Sequence, residues 1–136
     1  MTIAAFALQK AVRAALVNSP AVSALVPASA IMDKGARPEV FPAIVFGLAD
    51  TIAEDLTLNR NHFRVVLALH VWCREEGREQ LYAILQAIQE ALTQGIEIDD
   101  FQLVDLPPAS VRASHGASGD YSHGLVTVEA LLEKRP

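Results

Sequence analysis

Apolar and polar positions follow two rhythms along the chain, and the changes between them mark out its elements. Ala5, Leu8, Val12 and Leu16 recur at three- and four-residue intervals, with Gln9, Lys10 and Arg13 on the other side. That is the pattern of a helix with one buried stripe. Asn18 is a stop. Ser19 followed by Pro20 is a restart, because a serine oxygen can cap the free N–H groups of a first turn and proline fits the first helical position. A short second helix is expected to run to Val26, where Pro27 ends it. Ile31 and Met32 start a short strand, and 34–39 read as a loop. Residues 41–46 are apolar on both sides, as in a central strand covered twice, with Pro42 confined to its start. Residues 47–61 read as a long polar connection containing Asp50, Glu54, Asp55 and Asn59.

The period-two signal is strongest over 62–74. Phe63, Val65, Leu67, Leu69, Val71 and Cys73 fall on one side, and His62, Arg64, Val66, Ala68, His70 and Trp72 on the other. The first side is core and the second is mixed, either partly wet or an interface. Glu75 and Glu76 open a helix at the end where its dipole favours negative charge. Leu81, Leu85, Ile88 and Leu92 are its buried stripe, and Gly95 its C-terminal cap. Residues 101–106 form a strand broken by Pro107 and Pro108, with Val111 resuming it. The small, polar stretch 114–122 is a hairpin tip. Residues 124–132 alternate again, with Val126, Val128, Ala130 and Leu132 on one face. This order predicts one α+β domain over 1–136: a mainly antiparallel sheet, two main helices packed on one face, and a long C-terminal hairpin.

Composition narrows the function. Of 136 residues 51% are hydrophobic, which excludes global disorder and is enough for a core without covalent staples. The formal net charge is −5, and no basic stripe offers a track for nucleic acid. The single cysteine, Cys73, excludes an intrachain disulfide. No apolar run is long enough to span a bilayer. The apolar N-terminus is interrupted by Gln9, Lys10 and Arg13 and reads as a helix of the mature chain, not a signal peptide.

The search for chemistry yields little. Cys73 and His70 lie three apart on a strand and so face opposite ways. His62 and His70 share a face about 26 Å apart. His115, Asp120 and His123 around the tip could ligate zinc by residue type, but their spacing matches no recognised metal motif, and solvated loop residues are the simpler reading. Gly35, Gly47 and Gly77 are isolated turn or helix-start residues. There is no nucleophile elbow, phosphate loop or dinucleotide glycine pattern. No cofactor, metal site or catalytic residue is expected. Trp72 either packs under a helix or anchors an interface, a role in which tryptophan is enriched.

Several segments form a larger pattern: the helix and turn over 8–26 ending in PAVSALV, FPAIVFG at 41–47, HVWCREEGREQLYAILQAIQEAL at 70–92, and HGLVTVEALLE at 123–133. In order and spacing the chain resembles the small tail-completion, or tail terminator, proteins of tailed phages and gene transfer agents, over nearly its whole length. The resemblance implies a non-enzymatic virion component at the head–tail joint. It implies a homo-hexameric ring in the particle, from a subunit that is monomeric in isolation. The ring's neighbours would be the tail tube protein and the head connector, with double-stranded DNA passing through and no membrane involved. Assembly would take place in the bacterial cytoplasm. Pro107–Pro108 departs from the long hairpin strand the family pattern wants, and a bulge or bend is expected there. Asp50, Glu54, Asp55, Arg60, Trp72, His115 and Asp120 are the expected interface residues, mostly in 47–61 and 114–122. The competing expectation is a homodimeric module with a small-ligand pocket between sheet and helices.

Overall fold

The computed structural model describes residues 3–33, 38–54, 61–74, 78–115 and 121–135, and all of His115 except its side chain. Helix α1 spans Ala4–Val17 and ends at Asn18. The Ser19 hydroxyl accepts a hydrogen bond from the Val22 N–H at 3.3 Å, capping α2 at Pro20–Ser23. The expected continuation of α2 to Val26 is a turn instead, closed by the Val26 N–H donating to the Val22 carbonyl. A 3-10 turn over Ala28–Ala30 then leads into β1, Ile31–Asp33. The remaining elements are β2 (Ala43–Glu54), β3 (His62–Arg74), α3 (Arg78–Thr93), β4 (Phe101–Asp105), β5 (Ser110–His115) and β6 (Tyr121–Lys134). α3 ends on Gly95, whose φ of 90° lies in the left-handed region that glycine adopts at little cost.

The strands make one mixed sheet in the order β1-β2-β3-β6, with β1 and β2 parallel and the other pairs antiparallel. β3 holds one edge of β6, so β4 and β5 lie in tandem along its other edge. Asp105 opposes Leu131 and Ser110 opposes Thr127. Residues 106–109 between them leave the ladder, and the β4–β5 side takes one residue more than β6. The two prolines thus produce the interruption their missing N–H groups demand.

Period two sorts the sheet as the sequence implies. Val65, Leu67, Leu69, Val71 and Cys73 of β3 are fully buried, as are Val126, Val128, Ala130 and Leu132 of β6. α1 and α3 both pack on this face, through Leu8, Val12 and Leu16 and through Leu81, Ile84, Leu85 and Ile88. The opposite face carries no helix among the described residues.

One expectation about the chain's course is overturned. Residues 47–54 are not a polar connection, because β2 continues through them to Glu54, with Ala49 opposite Leu67 and Glu54 opposite His62. A bulge between Phe46 and Ala49 shifts the register on the way. Beyond the bulge most of β2 is exposed, and it mixes Asp50, Thr51 and Glu54 with Ala49, Ile52 and Ala53. Asp50 and Glu54 are therefore strand residues. Asp55 to Arg60 lie outside the described residues.

Helix α3 approaches β6 at Gly124. A Cβ there would stand 2.9 Å from a Leu85 methyl and 3.0 Å from a Leu81 methyl, inside van der Waals contact. Replacing Gly124 with Ala should therefore lower stability by about 1–3 kcal/mol through overpacking, read from the midpoint of urea unfolding. An unchanged midpoint would show that α3 moves away freely.

Candidate functional site

The residues with something left to bind lie on the helix-free face. β3 presents His62, Arg64, Val66, Ala68, His70 and Trp72 there, and the ladder sets them opposite Glu133, Leu131, Glu129, Thr127, Leu125 and His123. One end of this face is charged. Arg64 bonds Glu54 across the β2–β3 pair at 2.8 Å and lies 3.6 Å from Glu129 of β6, and His62 lies 3.5 Å from Glu133. Arg64 sits between two carboxylates and His62 lies beside one, so among the described residues this end offers no free cationic surface for a phosphate.

The other end is aromatic. His70 and His123 occupy diagonal positions on β3 and β6, and His70 Nδ1 stands 2.8 Å from His123 Nε2. One ring nitrogen donates and the other accepts, which requires at least one neutral imidazole. Trp72 leans on His123 with ring centroids 4.5 Å apart. Trp72 is thus not packed under a helix; it is partly buried on the bare face. Phe41 stacks on Tyr121 at 4.9 Å, and the Arg74 guanidinium lies over Phe41. Gly47 is a strand residue at the β2 bulge, not an isolated turn: a Cβ would fall 2.6 Å from His70 Nε2, so only glycine lets β2 close on that ring.

The histidine pair was not legible beforehand. His123 belongs to the suspected tip cluster and His70 to the suspected cysteine pair, and the structure joins them to each other instead. Pairing of β3 with β6 sets that contact, and the two residues are 53 apart in sequence. Cys73 is fully buried on the helix side, opposite to His70, and burial pushes its thiol up to about 11. In register, His115 opposes Ser122, not His123. Asp55, Arg60 and Asp120 lie outside the described residues. Among the described residues no three His, Cys, Asp or Glu side chains gather as a metal site, and no helix is long and apolar enough to cross a membrane.

The pocket imagined between sheet and helices is filled by the core side chains. A groove of about 400 Å³ lies between α1 and residues 95–99, lined by Ala7, Ala11 and Ala14 and by Lys10 and Asp99. Lys10 and Asp99 are paired across it at 3.4 Å.

Two outcomes follow. Burial, and secondarily the charge of His70, lower the pKa of His123 below its ordinary 6.5. The unfolded chain then binds a proton more readily than the folded one, so stability is full above about pH 6.5 and falls as pH drops through the folded value. Unfolding measured between pH 8 and pH 5 should show this loss, and His123→Gln should flatten it; an unaltered slope would assign it to other groups. Cys73 should react with iodoacetamide at pH 8 only as fast as the chain opens. Rapid labelling under native conditions would contradict its burial.

Comparison with known proteins gives a shared fold and a family. No curated protein matches the chain. Among solved structures, a chain in the virion of a native gene transfer agent particle matches with a TM-score of 0.74 at 23% identity, covering 97% of this chain and 99% of that one. The fold is therefore shared with a protein of such a particle. The family model described as tail completion protein gp17 matches residues 10–133, from within α1 to the end of β6, and the chain belongs to that family.

Proposed function

We propose that this chain forms a ring at the head-proximal end of a phage or phage-like tail tube. The ring ends growth of the tube, joins it to the head connector and lets DNA pass. The observation that carries this reading is the family match over 10–133. The role is structural and uses no cofactor.

The layout of the sheet supports a joint between two neighbours. His62 of β3 opposes Glu133 and Arg74 opposes Tyr121, so 55–60 connect strands at one end of the sheet and 116–120 at the other. β3 has 13 residues, which puts the two ends about 40 Å apart. On this reading Asp55 and Arg60 belong to the contact with one neighbour and His115 and Asp120 to the contact with the other, the tube and the connector. Trp72, held on the bare face, is a third contact. A net charge of −5, with Arg64 and His62 beside carboxylates, leaves no basic track among the described residues to retard passing DNA.

Deleting the gene from the producing phage or agent should yield tubes of irregular length and heads without tails, counted by electron microscopy, with the wild-type gene restoring joined particles. Shortening 55–60 and 116–120 separately should uncouple the two defects, one variant losing length control and the other losing head attachment. Joined particles at normal yield in the deletion would refute the assignment.

A further inference from the structure

Of the strand edges without a neighbour among the described residues, two lie on opposite sides of the sheet and suit each other. β1 covers the outer edge of β2 only at Ile44, Val45 and Phe46, and from Ala49 to Glu54 β2 pairs with β3 alone. On the far side, β5 pairs with β6 through one edge, and no described strand occupies its other. Rows of unpaired N–H and C=O groups are templates for another strand, and proteins usually blunt them with proline, lysine or inward charge. Neither row has a proline or a lysine. Each instead exposes a β-branched apolar side chain, Val111 at 41% on β5 and Ile52 at 51% on β2.

Direction and charge match the two edges to each other. β2 and β6 run the same way, and β5 runs against both. A second copy placed alongside without being turned over therefore sets its β2 antiparallel to the first copy's β5, with both bare faces on the same side. Arg112 opposes Leu125 and Asp50 opposes Val66, so both belong to the bare face. Both are exposed, and neither side chain has an ion pair or hydrogen bond among the described residues. Glu54, the other acid of that β2 segment, is already held by Arg64.

The stagger is also right for closure. Arg112 is level with Leu125 and hence with His70, while Asp50 is level with Val66. Placing Arg112 beside the next copy's Asp50 offsets the copies by the four positions between Val66 and His70, about 13 Å along the strands. The offset accrues over four strands, about 19 Å across, which is a tilt of about 35°; closed cylinders of strands need about 35–45°. Contacts between two different surfaces of one subunit are head-to-tail and generate rings when the rotation closes.

We propose that β5 of one copy adds to the outer edge of β2, at 49–54, of a second copy, with Arg112 against Asp50. This contact would recur around the ring and rests on the ring reading above. A six-residue strand pairing buries far less than the roughly 1,200–2,000 Å² of a stable interface, so the isolated subunit is monomeric in dilute solution and the ring forms where the tube concentrates it.

The test is a double variant, Arg112→Cys with Asp50→Cys, assembled into particles and oxidised. Buried Cys73 is silent. Non-reducing gels should show a ladder of covalent multimers in the double variant and in neither single one. Separately, Arg112→Glu and Asp50→Arg should each reduce incorporation into particles several-fold, and the two together should restore it. Rings seen by electron microscopy at the tube end, without the ladder and with single charge reversals tolerated, would overturn the edge pairing and leave the ring standing. No ring at the tube end of wild-type particles would overturn both.

Discussion

Everything in this molecule depends on the ladder between β3 and β6. All 13 residues of β3 find a partner in β6 without a break. That register decides which side chains meet α1 and α3 and which meet the outside. A slip of one residue would turn Leu67, Leu69, Val126 and Val128 outward and drive Arg64 and Glu129 under the helices. Burying an unmatched charge there costs several kcal/mol, so the alternating pattern specifies register as well as stability. The same ladder brings His70 and His123 together and places β5 far enough from β3 to form an outer edge.

Much of this was legible because one side of β3 is wholly apolar. β3 reads from the sequence with both its ends correct, since thirteen alternating residues leave no other solution. α3 is legible from Leu81, Leu85, Ile88 and Leu92, and the Ser19–Pro20 restart from capping chemistry. The end of β2 was misread for a physical reason. Hydrophobic patterning reports burial, and beyond the bulge β2 holds a strand conformation without being buried. Its ladder to β3 supplies the constraint, and hydrogen bonds between main chains leave no trace in side-chain polarity.

The candidate site was less legible still. Trp72 stood out because a tryptophan on a mixed face demands an account. The His70–His123 contact and the need for glycine at 47 depend on which strands pair and at what register, and neither follows from local sequence. Sequence resemblance reached the family by a different route. The whole pattern of segments identified a tail-completion protein without singling out any residue as responsible.

The bare face and the unprotected edges are best understood together. A sheet with one uncovered face and two open edges is a poor design for a solitary protein, because it invites association. Here the hazard is limited by shortness. β5 has six residues, and the uncovered part of β2 is of similar length. Edges this short bind weakly as single pairs and gain only when many are presented at once in matching symmetry. On the proposed edge pairing, a subunit so built would stay dispersed until a template gathers it. On the proposed function that ordering suits a component that joins a tube already grown, and it would account for both edges lacking the lysines and prolines that isolated sheets carry.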